Sequence, residues 1–222
     1  MIRPILMVRA ITFLVFLMPA CALKNLGLRW LGHAIGRDVR IGPCAVDRVR
    51  RFELGTGARI GGGNTFRGLN LVSLGADARI GQWNWITCAP LLLDGGPDRG
   101  TLGLADHATI VSRHYIDCSG GVFLETYAVL GGLRSVLLTH QADYRTSTLS
   151  ADRITIGAYS LVNACNNLVQ GTTVPARSVT TMGAVLLPGL KAEGRLYGGV
   201  PAKDIKPVEG RWFHRTDARI ES

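Results

Sequence analysis

Aliphatic residues return along this chain every six positions, often followed by a small or acidic residue. The clearest run begins at Ile156-Gly157 and keeps Val162, Leu168, Val174, Thr180 and Leu186 on one register. Ser160, Asn166, Thr172, Ser178 and Ala184 take the fifth place of each hexad. Earlier runs share the pattern: Ile35 and Ile41; Leu54, Ile60 and Phe66; Leu74, Ile80 and Ile86; Leu104, Ile110 and Ile116; Leu124, Leu130 and Val136. All of these anchors are aliphatic except Phe66 and Thr180. A period of six is neither the 3.6 of a helix nor the 2 of a lone strand. It predicts a triangular coil in which each hexad supplies one short flat strand and one corner. The anchor points into the prism, and a small fifth residue lets the chain turn. Three hexads close a coil, and stacked coils pair as parallel strands, so the two end coils need caps. The expectation is an all-β solenoid, a parallel β-helix; a helical or α/β arrangement leaves the spacing unexplained.

The pattern lapses at about 47–53, 67–73, 92–103, 117–123 and 141–155, where loops or bulges are expected to leave the prism. The last lapse is long and polar and begins directly after His140. Loops ejected from a rigid scaffold are common places for binding chemistry. After Leu186 the chain changes character, and Leu187-Pro188-Gly189 ends the coil. These breaks divide the chain into a hydrophobic and amphipathic helical extension over 1–33, a solenoid over 34–191 that carries the 141–155 loop, and a basic, Gly/Pro-punctuated tail over 192–222.

Residues 4–23 are apolar except for Arg9 and Thr12, and Ala20-Cys21-Ala22 has the composition of a signal-peptidase site. The uninterrupted run from Phe13 to Leu23 is short for a membrane span, and Arg9 falls inside any longer one. The reading favoured is a retained helical hairpin that lies on a membrane surface or packs on an oligomer partner; a hydrophobic cap over the end of the solenoid is the alternative.

Composition narrows the classes further. Of 222 residues, 28 are glycine while aromatics make up 7%, which favours tight corners over a bulky aromatic core. The formal charge of +9 suits an anionic partner: a phosphate-rich cofactor, an acidic membrane surface or nucleic acid. No basic cluster interleaves with aromatics, which argues against nucleic acid. The five cysteines are widely spaced with no CxxC pair, so neither a zinc knuckle nor a disulfide framework is indicated, and a reducing, cytoplasmic compartment fits.

With the hexads, the THQADY segment after a coil and the closing YGGVPAKDIKP, the chain resembles the hexapeptide-repeat acyltransferases over about residues 35–207. Its nearest branch by these motifs is the O-acetyltransferases of bacterial polysaccharide and lipopolysaccharide assembly. The resemblance implies a left-handed β-helix, homotrimers with active sites between neighbouring prisms, acetyl-CoA as acyl donor, no metal, and a sugar or glycan acceptor. It implies a catalytic histidine where a coil gives way to a loop, which matches His140. It also implies a CoA site along the C-terminal coils, with Ala164, Gly183 and Ala184 beside the pantetheine arm and Lys203 and Lys206 near the phosphates. Relatives often carry Thr-Lys just after the last hexad, where this chain has Leu187-Pro188; Lys191 is the nearest substitute.

Transfer to a hydroxyl needs a base that removes its proton as oxygen attacks the thioester. Imidazole, with an ordinary pKa of about 6.5, suits that task. No GxSxG elbow appears around any serine. Among the five histidines, His33 and His214 lie outside the repeat and are expected to face solvent, and His107 sits mid-hexad on an outward position. His114, at the fifth place of the Ile110 hexad, is open between acceptor binding and a structural role. His140, at the fifth place after Val136 and at the mouth of the 141–155 loop, is the candidate general base. Asp117 and Asp143 are nearby carboxylates that could orient an imidazole or bind sugar hydroxyls; for Asp143 a loop-surface charge is the favoured reading. Trp83, Asn84 and Trp85 are bulky for outward positions and either pack subunits or stack on a sugar. The candidate acceptor-binding set is therefore His114, Asp117, Asn84 and Trp85. Competing readings are N-acetylation of an amino sugar, a zinc lyase of the γ-carbonic-anhydrase kind and a non-catalytic membrane scaffold. His107 and His114, seven apart, lack the close pair that the zinc lyase requires.

Overall fold

Each hexad folds into a strand of two to four residues and a corner, and the coils stack into a left-handed parallel β-helix with three faces. The computed structural model describes residues 2–216, with side chains from residue 7 onward. The first face holds seven strands, from Ala34–Ile35 to Thr173–Val174; the second holds nine, from Arg40–Ile41 to Ala202–Pro207; the third holds seven, from Ala45–Asp47 to Val185–Leu186. The registers place like on like. Leu54 pairs with Leu74, Leu74 with Leu104, and Leu124 with Ile156. Every anchor of the hexad pattern is buried except Val136. That corner, after Leu130, has one residue more than its neighbours and two left-handed residues, Gly132 and Arg134. The extra residue moves the core position to Leu137, which is fully buried and stands between Ile116 and Leu168.

Close stacking explains the small residue after each anchor. A Cβ on Gly55 would lie 2.7 Å from the Gly75 carbonyl carbon of the next coil. The corners turn through residues with positive φ, such as Trp83 (60°), Arg113 (61°) and Cys165 (61°), so bulky side chains there project outward.

The interruptions of the pattern all fall at one corner, between the third and first faces. Three of them are not ejected loops. Around 47–53, 67–73 and 117–123 the chain makes wider first-face strands that carry a second inward column, Phe52, Val72, Leu102, Val122 and Ile154, all fully buried. Alternation within a strand puts residues two apart on the same side, which a period of six conceals. The two larger insertions do leave the prism. Residues after Cys88 make a short 3-10 turn, Pro90–Leu92, and residues after Thr139 make an antiparallel hairpin of His140–Asp143 with Thr148–Ala151.

At the corner between the second and third faces the fifth-place residues form a buried polar ladder. Asn84 N–H donates to Asn64 Oδ1 at 2.8 Å and His114 N–H to Asn84 Oδ1 at 2.9 Å. Ser135 N–H donates to His114 Nδ1 at 3.2 Å, Asn166 N–H to Ser135 Oγ at 3.2 Å, and Ala184 N–H to Asn166 Oδ1 at 2.8 Å. Each side chain supplies the acceptor that a corner N–H would otherwise lack.

Two helices close the N-terminal end: α1 (Ile2–Leu17) and α2 (Ala22–Trp30). Phe16 and Leu28 are fully buried against the first coils, so this segment is a cap on the solenoid core. Lys24 is buried with them, and its Nζ lies within 3.0 Å of the carbonyl oxygens of Phe16, Met18, Ile41 and Gly42. Burial lowers its pKa to about 8, which leaves an ammonium at neutral pH to join the end of α1 to the first coil. His33, expected at the surface, occupies the second inward column of the first coil; its Nδ1 accepts from Phe52 N–H and its ring packs between Phe16 and Phe52. The other end is closed by the tail: Arg195–Gly199 pairs with Val179–Thr180 and then folds back on Ala202–Pro207. The tail returns along the prism, where Trp212 Nε1 donates to Tyr159 O at 3.0 Å. The extreme ends of the two flanking segments, residue 1 and residues 217–222, lie outside the described residues.

Burial lowers the His114 pKa from 6.5 to about 4. Between those values the unfolded chain takes up a proton that the folded chain refuses, so stability is full above about 6.5 and falls as pH drops towards 4. Replacing His114 with Asn, as at Asn84 one coil below, keeps the acceptor for Ser135 and removes the titrating group. The drop in melting temperature between pH 7.5 and pH 5 should therefore be smaller in His114→Asn than in the parent; an equal drop would show that this group does not govern acid stability.

Candidate active site

The two ejected insertions flank the strand Tyr115–Asp117 at the third-to-first corner, and there the structure brings Asp117 and His140 together. Asp117 ends its strand; His140 begins the hairpin one coil further on, after Thr139. His140 Nδ1 lies 2.8 Å from Asp117 Oδ2. The Asp117 side chain is 3% exposed and the His140 side chain 31% exposed, so a buried carboxylate holds a half-buried ring.

The carboxylate is fixed from all sides by its own corner. Thr139 N–H donates to Oδ2 at 3.0 Å and the Thr139 hydroxyl lies 2.6 Å from the same atom. The Ser119 hydroxyl donates to Oδ1 at 2.6 Å. Those two hydroxyls are in turn positioned by Gly120 N–H, which donates to Thr139 Oγ1 at 2.8 Å, and Ala89 N–H, which donates to Ser119 Oγ at 2.9 Å. A carboxylate on Nδ1 accepts from that nitrogen, so in the neutral ring Nε2 is the nitrogen left with its lone pair. A ring held in one tautomer, with one bare nitrogen, is set up to accept a proton.

Asp117 therefore holds the His140 ring, and its buried oxygens are engaged by Ser119, Thr139 and His140. Asp143 sits three residues into the hairpin, where Oδ1 accepts from Arg145 N–H at 2.8 Å and caps the turn. Asn84 and His114 lie in the polar ladder, 1% and 2% exposed, and do not reach the surface. Trp85 is exposed on the outer side of the third face, beside Tyr115 in the register and with Asp117 opposite Thr87. His107 is elsewhere, stacked on Tyr127 with ring centroids 4.5 Å apart, and His214 is exposed in the tail. Among the described residues no group of three or more histidine, cysteine or carboxylate side chains converges as a metal site would require.

The positions expected for CoA lie on the last coils, in different settings. Ala164 is half-buried and Gly183 exposed on the second-to-third corner, with Gly183 N–H bonded to Ala164 O. The Ala184 side chain is buried and its N–H belongs to the ladder. Lys203 and Lys206 are exposed on the closing hairpin, opposite Gly198 and Leu196, and Lys191 is exposed before it. Among the described residues none of the three takes part in an ion pair. Ser119 and Thr139, which fix the carboxylate, carry no signal in the hexad pattern; only the coil-on-coil register shows that residues 117, 119 and 139 meet.

No family model and no curated protein sequence matches the chain. In structure it is similar to AntD, an N-acyltransferase from Bacillus cereus. One variant of AntD in complex with dTDP and coenzyme A aligns with a TM-score of 0.61 and 10% identity, over 86% of this chain and 91% of that one. AntD with dTDP and 3-hydroxybutyryl-CoA aligns at 0.55 and 13%, over 86% and 92%. A hexapeptide-repeat acetyltransferase from Vibrio cholerae, complexed with acetyl-CoA, aligns at 0.42 and 17%, over 93% and 90%. At these identities the likeness is one of fold.

The tautomer has a direct readout. In the ¹⁵N spectrum of the parent, the neutral form of the His140 ring should show a protonated Nδ1 and a bare Nε2. Asp117→Ala should lose that preference; a ring already protonated on Nε2 in the parent would contradict the arrangement.

Proposed function

We propose that this protein is an acetyl-CoA-dependent acyltransferase that acetylates a sugar hydroxyl of a bacterial surface polysaccharide, a glycolipid or a precursor, with His140 as general base. The observation that carries this reading is the Asp117–His140 pair at a coil-to-loop corner, on a fold shared with an acyltransferase that binds CoA. Nε2 removes the acceptor proton as oxygen attacks the thioester carbonyl. The carbon–sulfur bond then breaks, and the imidazolium returns its proton to the departing CoA thiolate. Asp117 opposes the charge that the ring holds between these two transfers, and keeps Nε2 aimed outward. The thioester is already activated, so no enzyme nucleophile is needed.

The exposed apolar surface of the third face supports a trimer: Trp85, Tyr115 and Leu138 stand on its outer side next to the His140 corner. Packing that face on a neighbouring prism would put His140 at the seam between two subunits. Lys203, Lys206 and Lys191 are the cations available to the CoA phosphates. The five cysteines are all unpaired, which supports a reducing cytoplasmic setting, where acetyl-CoA is made. N-acetylation of an amino sugar is the second reading, favoured by the similarity to AntD, which has been crystallised with dTDP-4-amino-4,6-dideoxyglucose and coenzyme A. A panel of hydroxyl and amino sugars incubated with labelled acetyl-CoA separates the two.

Removing a general base typically costs on the order of 10² to 10⁴ in rate. His140→Ala should lower kcat by about that factor and leave acetyl-CoA binding and oligomeric mass intact; full turnover by the folded variant would end the proposal. Changing Lys203 and Lys206 together to Ala should raise the KM for acetyl-CoA about 10-fold or more, on the scale of a lost charge-assisted contact, while the acceptor KM stays nearly constant. Equal effects on both substrates would remove these lysines from the phosphate site.

A further inference from the structure

The net charge is not spread along the prism. Residues 1–67 contain eleven Lys and Arg against three Asp and Glu, so they hold nearly all of the +9 excess. Folding concentrates part of it further. Arg40, Arg59 and Arg79 share one register position on the outer side of the second face, stacked strand on strand. Like charges directly opposite on neighbouring strands are destabilising, yet no ion pair among the described residues engages these three or Arg37. Arg79 Nε is buried without a partner. A row of guanidiniums without ion pairs at this spacing is relieved by a bound anion.

The row opens on a groove of about 980 Å³ between the first coils and the N-terminus of α2. Cys21, Ala22, Arg37, Arg40 and Arg59 line it. The first turn of α2 has no acidic residue, and its free N–H groups add positive potential. Two carboxylates, Asp38 and Asp77, also line the groove, and they leave the balance of charge positive. Alongside, the two helices turn a broad apolar surface away from the core: Met7, Leu14, Leu17, Leu23, Leu26 and Trp30 are all exposed, Trp30 by 86%. Among the described residues no helix is long and apolar enough to cross a membrane.

We propose that this end of the prism docks on an anionic phospholipid bilayer, with the apolar helices seated among the acyl chains near the headgroups and the arginine groove taking lipid phosphates. Apolar helices rimmed by basic side chains are the chemistry of an interfacial anchor. A second copy of the chain is the poorer occupant, because joining two such ends would bring two arginine rows together. An anionic lipid surface satisfies both features at once. This inference does not depend on the acyltransferase reading.

The test is co-sedimentation of the full chain with vesicles of phosphatidylcholine alone and of phosphatidylcholine mixed with phosphatidylglycerol, at low and high salt. The parent should bind the mixed vesicles, bind the neutral ones far less, and release in high salt. Each basic residue near such a surface contributes roughly fivefold to partition, so the triple change Arg37→Ser, Arg40→Ser and Arg59→Ser should reduce binding by about 100-fold. Leu14→Glu with Leu23→Glu should also abolish it, with melting temperature and molar mass unchanged in both variants. Three results would overturn the proposal: equal binding to neutral vesicles, unchanged binding by the triple variant, or a change of molar mass in the leucine variant, which would make the face a subunit interface. Complete release of the parent from mixed vesicles by millimolar inorganic phosphate at constant ionic strength would also overturn it, by making the groove a site for free anions.

Discussion

Parallel pairing between coils is the constraint on which this molecule depends. Each strand takes its hydrogen bonds from the strand one coil below and gives them to the one above, so a slip of one residue on any face would break the ladders on both sides and turn the anchors outward. Added residues must therefore leave at a corner. The extra residue after Leu130 is absorbed there, through Gly132 and Arg134, before Leu137 regains its place over Ile116. The larger insertions all leave at the third-to-first corner. Because they leave from the coils on either side of the one that carries Asp117, they flank that residue, and the Asp117–His140 pair is assembled between them.

The same constraint separates two histidines that look alike in the sequence. His114 and His140 both sit near the end of a hexad. The second-to-third corner needs an acceptor for the N–H of the coil above, and His114 supplies one with Nδ1, at the cost of a buried Nε2 that finds no partner. Its pKa falls because burial disfavours the charged ring and no carboxylate opposes the effect. His140 leaves the prism instead, so its ring is half-exposed, and the buried Asp117 one coil below binds Nδ1. His114 is closed off by burial, whereas at His140 the carboxylate partner is buried and the ring stays half-exposed.

The two ends of the solenoid are closed by different chemistry, and this divides the molecule's surface. At the C-terminal end the chain adds one more strand and an antiparallel return, so backbone groups are met by backbone groups. At the N-terminal end helices cover the first coil. Helices cannot extend a sheet ladder, so a lysine ammonium bridges carbonyl oxygens at the end of α1 and in the first coil. The inner side of that cap is core and its outer side is apolar, and the arginines of the first coils surround it.

The six-residue period by itself determined the solenoid, the anchors that fill it, and the coil-to-loop place of His140, because an inward residue every sixth position has one regular solution. The sequence also offered Asp117 and Asp143 as carboxylates near that histidine, with Asp143 favoured as a loop-surface charge, and left Asp117 open between orienting the ring and binding a sugar. What it left undecided depends on distance across coils. Phe52, Val72 and Leu102 form a second core column that a period of six hides, since alternation by two inside a widened strand looks like a lapse. Asn84 read as outward and His114 as open between acceptor binding and a structural role; both became ladder residues once the corner N–H groups of neighbouring coils were placed. Only stacking set Asp117 on the His140 ring and added Ser119 and Thr139 around it. Residues 117 and 140 are distant along the chain and adjacent through the prism, because each coil returns the backbone to the same corner one strand spacing further on.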